Sequence, residues 1–243
     1  MAESKSDTIT RLRRDLMHLQ TFKTPMPGVA AYTRLGALKN AFPDQTFPLS
    51  TVHEFLYERS EDAAATGGFI TCILSTLMDT GGAVLWIGNS QAVFPPALKS
   101  FGIEPDKVIF IYLQKNKEIL WAIEEALKCN GLAAVIGEIK DLSFTDSRRL
   151  QLAVEKSHVT GFIIRQQRHN INTTTCTVRW KITPASSESI EDMPGVGFPR
   201  WNVEILKVRN GKPGTWLIEF WGDRFRSVPA HKFITPLQKE KTG

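Results

Sequence analysis

The chain of 243 residues is 42% hydrophobic and 23% charged, with a formal net charge of +5; this is the composition of a folded globular protein and argues against an intrinsically disordered one. Its three cysteines, Cys72, Cys129 and Cys176, lack the spacing of a zinc site or a disulfide framework, so we expect neither, and no cofactor. Because no stretch approaches the ~20 apolar residues of a membrane helix and the N-terminus does not resemble a signal peptide, we expect a cytoplasmic protein without membrane contact.

The first 48 residues predict an amphipathic helix followed by an extended connector. Apolar residues recur at helical spacing between residues 8 and 20, and prolines interrupt residues 21–48. We therefore expect residues 1–48 to form this helix and connector, 49–228 a core domain, and 229–243 a flexible C-terminal tail. A helix on such a tether is expected to dock on the protein's own core or on a neighbouring subunit.

The central part of the chain alternates between apolar strands and helices. This alternation predicts an α/β fold in which a mostly parallel sheet is flanked by helices on both faces and joined by right-handed crossovers. The predicted strands are 52–57, 83–87, 108–112, 132–136 and 161–164, and the predicted helices are 66–79, 94–101, 117–128 and 145–157.

The last third of the chain changes to strand-like sequence with alternating polarity. Strands are predicted at 173–183, 201–209 and 214–221, and residues 210–214 have the composition of a hairpin loop. Residues 186–199 are rich in Ser, Glu, Pro and Gly, which predicts an exposed, mobile loop. C-terminal antiparallel strands are therefore expected to extend the parallel sheet.

The segment after the first strand lies where a nucleotide-binding protein keeps its phosphate loop. A buried strand, a run of small residues and an apolar helix follow one another, as in a P-loop. The Gly-Lys-Ser/Thr residues that hold triphosphate and magnesium are missing, since no Lys or Arg lies between Arg59 and Lys99. The candidate loop is thus degenerate; its residues are Ala64, Ala65, Thr66 and Gly67.

From residue 51 to residue 225 the chain resembles the core of the RecA superfamily, and within that group the ImuA family, which is also described as SulA/RecA-like. The resemblance implies a RecA-like core with the sheet described above. It is carried by residues 52–55 with 64–67, 83–87, 132–136, 148–153, 161–165 and the tail segment 199–216.

The ImuA family accompanies error-prone DNA polymerases. The resemblance therefore implies a non-catalytic accessory protein of SOS-induced, error-prone translesion DNA synthesis that acts through protein–protein contacts. The partners it implies are an ImuB-like Y-family polymerase protein, an error-prone replicative-type DNA polymerase subunit and RecA itself. An alternative from the same group is a SulA-like cell-division inhibitor, although the tail segment favours the role in mutagenesis.

Two carboxylates lie near positions that matter in RecA-type ATPases. Glu54 is retained where those proteins show a carboxylate, but their catalytic base lies further along the chain. Glu138 follows the strand at 132–136, where an Asp that orders magnesium is usual, and is displaced by one residue or onto the other face. An ATPase needs all of these parts positioned together, so hydrolysis is not expected. A weakly active RecA/KaiC-type ATPase that binds single-stranded DNA remains the alternative.

His53 and Cys72 are two further candidates for chemistry. His53 and its neighbour Glu54 face opposite sides of a strand, so they are not expected to act together as a base pair. Cys72 has no positive neighbour that would stabilise a thiolate, so we expect a core thiol.

Basic residues interleaved with aromatic residues cluster in the last third of the chain. Such groups suit contact with the backbone and bases of single-stranded DNA. The neighbouring loop carries Glu188, Glu191 and Asp192, which repel phosphate, so a protein-partner surface or a solvated basic face is favoured over direct DNA contact. The candidate surface residues are Arg165, Arg168, Lys207, Arg209 and Lys212.

Three tryptophans in the same region allow two interpretations. Trp201, Trp216 and Trp221 could form a docking face, because tryptophan is enriched among residues that dominate binding energy. They could equally fill the core between the sheet and its helices. The sequence leaves both interpretations open.

Overall fold

The computed structural model describes residues 30–90, 93–167, 171–187 and 197–228. The predicted helix at 8–20, the residue Arg168 and the tail 229–243 lie outside the described residues. Within the described ranges, the structure contains no helix that is both long enough and apolar enough to traverse a lipid bilayer.

One nine-stranded sheet organises the molecule, in the order β3-β2-β4-β5-β1-β6-β7-β8-β9. The strands from β3 to β6 are parallel, and β7, β8 and β9 are added as antiparallel neighbours. The strands are β1 Val52–Tyr57, β2 Ala83–Gly88, β3 Val108–Tyr112, β4 Leu132–Ile139, β5 Thr160–Gln166, β6 Val178–Ala185, β7 Arg200–Val208, β8 Gly214–Trp221 and β9 Arg224–Ser227.

Three α-helices and several 3-10 segments connect the strands. The helices are α1 Ser60–Leu77, α2 Asn116–Leu127 and α3 Phe144–Ser157. The main 3-10 segments are Ala30–Ala41, Pro43–Gln45, Pro95–Phe101 and Pro105–Lys107.

The sheet separates two hydrophobic cores, because successive side chains of a strand point to opposite faces. One core combines α1 with the N-terminal 3-10 segment, and includes Phe69, Leu38 and Trp180. The other combines α2 and α3, and includes Ile123 and Val154. The mixed α/β class, the mostly parallel sheet, the helices on both faces and the C-terminal antiparallel strands are thus confirmed.

The predicted strands and helices agree with the structure to within three residues at each end except at three places. Strand β6 begins at Val178, five residues after the predicted start at residue 173. The other two differences concern α1 and β9. Helix α1 begins at Ser60, six residues before the predicted start at Thr66. Strand β9, which pairs with β8, was not predicted. Both differences bear on function, because the first removes the expected loop and the second anchors the N-terminal segment.

The second half of the predicted connector belongs to the core. Leu38, Phe42 and Phe47 are 0%, 4% and 3% exposed, and the 3-10 segment Ala30–Ala41 lies against β9. Apolar side chains within this proline-rich stretch find partners on the sheet, so the segment packs instead of remaining an extended tether. The boundary predicted at residue 48 therefore does not coincide with the edge of the core.

Candidate functional site

The predicted phosphate loop is absent at the junction of β1 and α1. Strand β1 ends at Tyr57 and α1 begins at Ser60, which leaves Glu58 and Arg59 as the connection. Two residues cannot form a loop whose backbone N–H groups converge on a phosphate. The predicted loop residues Ala64, Ala65, Thr66 and Gly67 lie inside the first turns of α1 instead, so the prediction of a degenerate loop was wrong.

Asp62 explains why the helix begins so early. Its carboxylate accepts hydrogen bonds from the Arg59 backbone N–H at 3.0 Å and from the Arg59 guanidinium at 3.1 Å. Burial alone would raise the pKa of Asp62, but the hydrogen bonds from Arg59 outweigh burial and lower that pKa. A charged Asp62 caps the start of the helix by accepting the Arg59 N–H, and its negative charge complements the positive end of the helix dipole.

A cleft of about 740 Å³ opens at the carboxyl ends of the parallel strands. Ligands of open α/β sheets bind at this edge, and the volume falls within the range of about 300–1,000 Å³ of small-molecule sites. Small residues of α1 form one wall, among them Ala63, Ala64, Gly67 and Gly68. The segment Pro95–Phe101 forms another wall through Leu98 and Phe101.

Glu138 and Trp86 lie at the floor of this cleft. The Trp86 indole N–H donates a hydrogen bond of 2.6 Å to Glu138 Oε1. Burial raises the pKa of Glu138, and the hydrogen bond from Trp86 opposes that rise. Glu138 thus faces the cleft, but its partner is an indole, and the described residues hold no group of three His, Cys, Asp or Glu side chains that could bind a metal ion.

The cleft lacks the charge that a nucleotide would need. Lys140, an exposed residue at the rim, is the single basic side chain among the described residues that line it. Glu61 and Asp62 occupy the first turn of α1 and neutralise the helix terminus that would otherwise attract an anion. The lining therefore does not suit a triphosphate.

Glu54 holds a buried ion network on the other face of the sheet. Its carboxylate is fully buried and accepts hydrogen bonds from Arg165 Nε at 2.7 Å, Arg179 Nε at 2.6 Å and Thr174 Oγ1 at 2.9 Å. The Arg165 guanidinium also donates to Asn172 Oδ1 at 2.7 Å. With both oxygens paired, Glu54 acts as a structural anion and is unavailable as a base.

The candidate basic surface is only partly exposed. Arg165 is 7% exposed and paired with Glu54, so its placement on a surface was wrong: a buried carboxylate draws the guanidinium inward. Lys207 is half-buried and donates to the Thr174 carbonyl at 3.0 Å. Burial lowers the pKa of Lys207, helped by the charge of Arg179.

Two members of that surface remain open to solvent. Arg209 and Lys212 are exposed at the turn between β7 and β8. Their backbone N–H groups are fixed, by the Thr177 carbonyl at 3.0 Å and the Ala41 carbonyl at 2.8 Å. They therefore present cationic side chains from a rigid hairpin.

His53 and Glu54 point to opposite faces of β1, as the strand period predicts. His53 Nδ1 accepts a hydrogen bond from the Trp180 indole at 3.2 Å, and its Nε2–H donates to the Pro48 carbonyl at 2.7 Å. Complete burial lowers the pKa of His53 to about 4, partly opposed by the Pro48 hydrogen bond. His53 is therefore a neutral core residue.

The tryptophans and cysteines divide between core and surface. Trp201 is 4% exposed and belongs to the core, whereas Trp221 is 44% exposed and stacks beneath Arg226 at 5.2 Å. Cys72 is a buried thiol whose pKa burial raises well above its usual value, which confirms the interpretation as a core residue. Cys129 is exposed.

The cleft is the feature that sequence reasoning missed. Its polar residues lie just after the carboxyl ends of strands, a signal that was available in the sequence. Asn89 and Ser90 follow β2, and Gln114 and Asn116 follow β3. Their convergence could be recognised only once β3, β2 and β4 were known to be neighbours.

Comparison with known proteins places the chain in a family. No family model matches it. It is 32% identical over 195 residues to the protein ImuA of Caulobacter vibrioides, covering 75% of this chain and 80% of that protein. It is also 26% identical over 152 residues to the cell division inhibitor SulA of Serratia marcescens, covering 63% of this chain and 88% of that protein.

The open sheet with a cleft at its carboxyl edge places the molecule in the general class of open-sheet α/β proteins. The likeness to ImuA then identifies the family: the chain belongs to the ImuA family. The resemblance to the ImuA family recognised in the sequence is thereby confirmed.

Proposed function

We propose that this protein is a non-catalytic, RecA-like accessory protein of the DNA damage response. It would support SOS-induced, error-prone translesion synthesis through protein–protein contacts. The observation that carries the proposal is the two-residue connection between β1 and α1 in a member of the ImuA family. A connection of two residues leaves little room for a phosphate loop, which supports action through protein surfaces over nucleotide turnover.

The RecA-like character of the core is part of the proposal. It is supported by a parallel sheet whose first strand lies in the interior, between β5 and β6, and is followed directly by a helix. Helices on both faces and the antiparallel strands at the C-terminal side agree with it. These features support a scaffold of RecA type, and the short connection between β1 and α1 supports a role without nucleotide turnover.

The absence of ATP turnover is tested by phosphate release in the presence of magnesium and single-stranded DNA. We expect release at background level, because the one cation among the described lining residues, Lys140, is exposed at the rim. Release above background that disappears in Glu138→Gln but persists in Glu155→Gln, an exposed acid on α3, would establish the ATPase alternative instead.

The partner contacts are tested by co-purification with an ImuB-like Y-family polymerase protein, an error-prone replicative-type polymerase subunit and RecA. We expect capture of at least one polymerase partner. The double substitution Arg209→Glu, Lys212→Glu should weaken capture if the rigid basic hairpin is the contact. The matched substitutions Lys117→Glu and Lys156→Glu reverse two exposed charges on α2 and α3 and should leave capture unchanged.

Direct binding of single-stranded DNA is the competing role of the same hairpin. We expect fluorescence anisotropy with a labelled oligonucleotide to detect no salt-dependent binding of single-stranded DNA. Salt-dependent binding that the Arg209→Glu, Lys212→Glu variant abolishes would assign the hairpin to DNA phosphate contact.

The similarity to SulA supports a second candidate, inhibition of cell division. The SulA relative from Serratia marcescens is matched over 88% of its length, so this chain could act on a tubulin-like division polymer. Sedimentation of that polymer with and without the protein decides the question: loss of polymer at equimolar protein supports inhibition, and unchanged polymer excludes it.

A further inference from the structure

Only one of the two carboxylate oxygens of Glu138 has a hydrogen-bond partner among the described residues. Oε1 accepts the Trp86 indole N–H at 2.6 Å, and no hydrogen bond or ion pair to Oε2 exists among the described residues. The residue is partly exposed at the floor of the cleft. Oε2 is not among the buried atoms that lack a partner, so it is open to the cleft and available to a ligand with N–H groups.

The loops after β2 and β3 add neutral polar side chains to a lining that is otherwise mostly small or apolar. Asn89, Ser90 and Gln114 line the cleft and have no hydrogen-bond partner among the described residues, while Asn116 Oδ1 already accepts the Lys140 backbone N–H at 2.9 Å. The unpaired side chains offer acceptor oxygens beside one negative charge. Among the described lining residues an incoming anion would find no buried cation and one exposed lysine at the rim, Lys140, so the buried part of the lining favours a cation.

We propose that the cleft binds an arginine side chain presented by a protein partner, with the guanidinium paired to Glu138. Guanidinium carries five N–H donors and is more weakly hydrated than ammonium. The free-energy cost of desolvation on entering a half-buried cleft is therefore smaller for arginine than for lysine. The proposal rests on the proposed function in one respect: the arginine belongs to a partner of this accessory protein.

The size and rim of the cleft agree with a peptide-borne cation. Its volume of about 740 Å³ exceeds one side chain, so main chain on either side of the arginine also enters, where the amides of Gln114 and Asn89 can pair with it. Phe94, 69% exposed, adjoins the lining residue Val93. An exposed aromatic beside a polar pocket is a usual anchor of protein interfaces.

Helix α1 provides a way to close the cleft without disturbing the fold. A Cβ at Gly67 would meet no atom within 4 Å, and Gly67 lines the cleft. Leucine is also a better helix former than glycine. Gly67→Leu should therefore occupy the cleft in a folded protein. Gly131→Leu is the matched control, since a Cβ there is equally unobstructed and the residue lies before β4, at the opposite edge of the sheet.

The test measures binding of N-acetyl-arginine amide to the full chain by calorimetry or ligand-detected NMR, with N-acetyl-citrulline amide as the uncharged counterpart. We expect the wild type to bind the arginine probe at least tenfold more tightly than the citrulline probe. Glu138→Gln and Gly67→Leu should each lower the affinity for the arginine probe at least tenfold. Glu155→Gln and Gly131→Leu should retain wild-type affinity.

Several outcomes would overturn the inference. They are absent binding of the arginine probe to the wild type, equal binding of the citrulline probe, and wild-type affinity in folded Glu138→Gln. Circular dichroism of each variant establishes that it is folded. Because the probe is a small molecule, its binding is independent of polymerase capture, so failure of this inference and failure of the proposed function are distinguishable.

Discussion

Burial of His53 makes the stability of the protein dependent on pH. Its pKa of about 4 in the folded protein compares with 6.5 in the unfolded chain. Between these values the unfolded state binds more protons, so the free energy of unfolding rises with pH. A shift of this size corresponds to on the order of 3 kcal/mol between pH 4 and pH 6.5.

Chemical denaturation across that pH range, compared between wild type and His53→Gln, checks this prediction. The variant should be less stable at pH 7, because it loses the imidazole ring that stacks on Phe47 and Trp180, but its stability should depend less on pH. Glu138 acts in the opposite direction, since its raised pKa stabilises the folded state at low pH, and it is common to both proteins. An unchanged slope in His53→Gln would contradict the prediction.

Thr66 and Thr71 form a matched pair on α1. Thr66 Oγ1 is buried without a hydrogen-bond partner among the described residues, whereas Thr71 Oγ1 donates to the Gly67 carbonyl at 2.8 Å. Removing an unsatisfied hydroxyl relieves its desolvation cost, so Thr66→Val should raise the free energy of unfolding by about 1 kcal/mol. Thr71→Val should lower it or leave it unchanged. Urea denaturation of both variants measures the difference, and a destabilised Thr66→Val would show that the hydroxyl has a partner.

At the scale of the element, Gly36 fixes the N-terminal 3-10 segment against β9. Its φ of +57° is a conformation that glycine adopts without strain, and a Cβ there would overlap the Phe225 carbonyl. Gly36→Ala should therefore lower the free energy of unfolding by more than about 1 kcal/mol. Gly102→Ala is the control, because its φ is +79° but a Cβ meets no atom within 4 Å.

The outcome for this pair separates backbone strain from crowding. Both substitutions should cost stability through the positive φ, and the additional loss in Gly36→Ala reports the contact with β9. Thermal unfolding of the two variants measures it. Equal melting temperatures would mean that the segment does not hold to β9 as the structure describes.

At the scale of the molecule, the Glu54 network joins parts of the chain that are far apart in sequence. It links β1 to β5 and β6 through Arg165 and Arg179. Glu54→Gln would remove the negative charge that pairs with two guanidinium groups. The free energy of unfolding should therefore fall by about 3–5 kcal/mol. Glu58→Gln, which breaks the more exposed pair with Lys181, should cause no comparable loss. A small loss in Glu54→Gln would mean that solvent reaches the network.

The strand and helix pattern was predictable because it is local. Apolar runs such as those of β2 and β4 predict buried parallel strands, and the spacing of Leu150 and Val154 predicts helix α3. The start of α1 was missed because attention fell on the run of small residues, although the contact that decides it, between Asp62 and Arg59, is local in sequence. The burial of Arg165 depended on Glu54, 111 residues away in sequence.

The sequence by itself determined the α/β class, the order of strands along the chain, the antiparallel extension and the absence of a phosphate-binding lysine. Periodicity and composition carry this information because each element buries its own apolar side chains. Only the tertiary structure decided which arginine is buried and which polar residues share the cleft. These depend on which strands are neighbours in the sheet, and that choice is made by contacts between residues too distant in the chain for any local pattern to record.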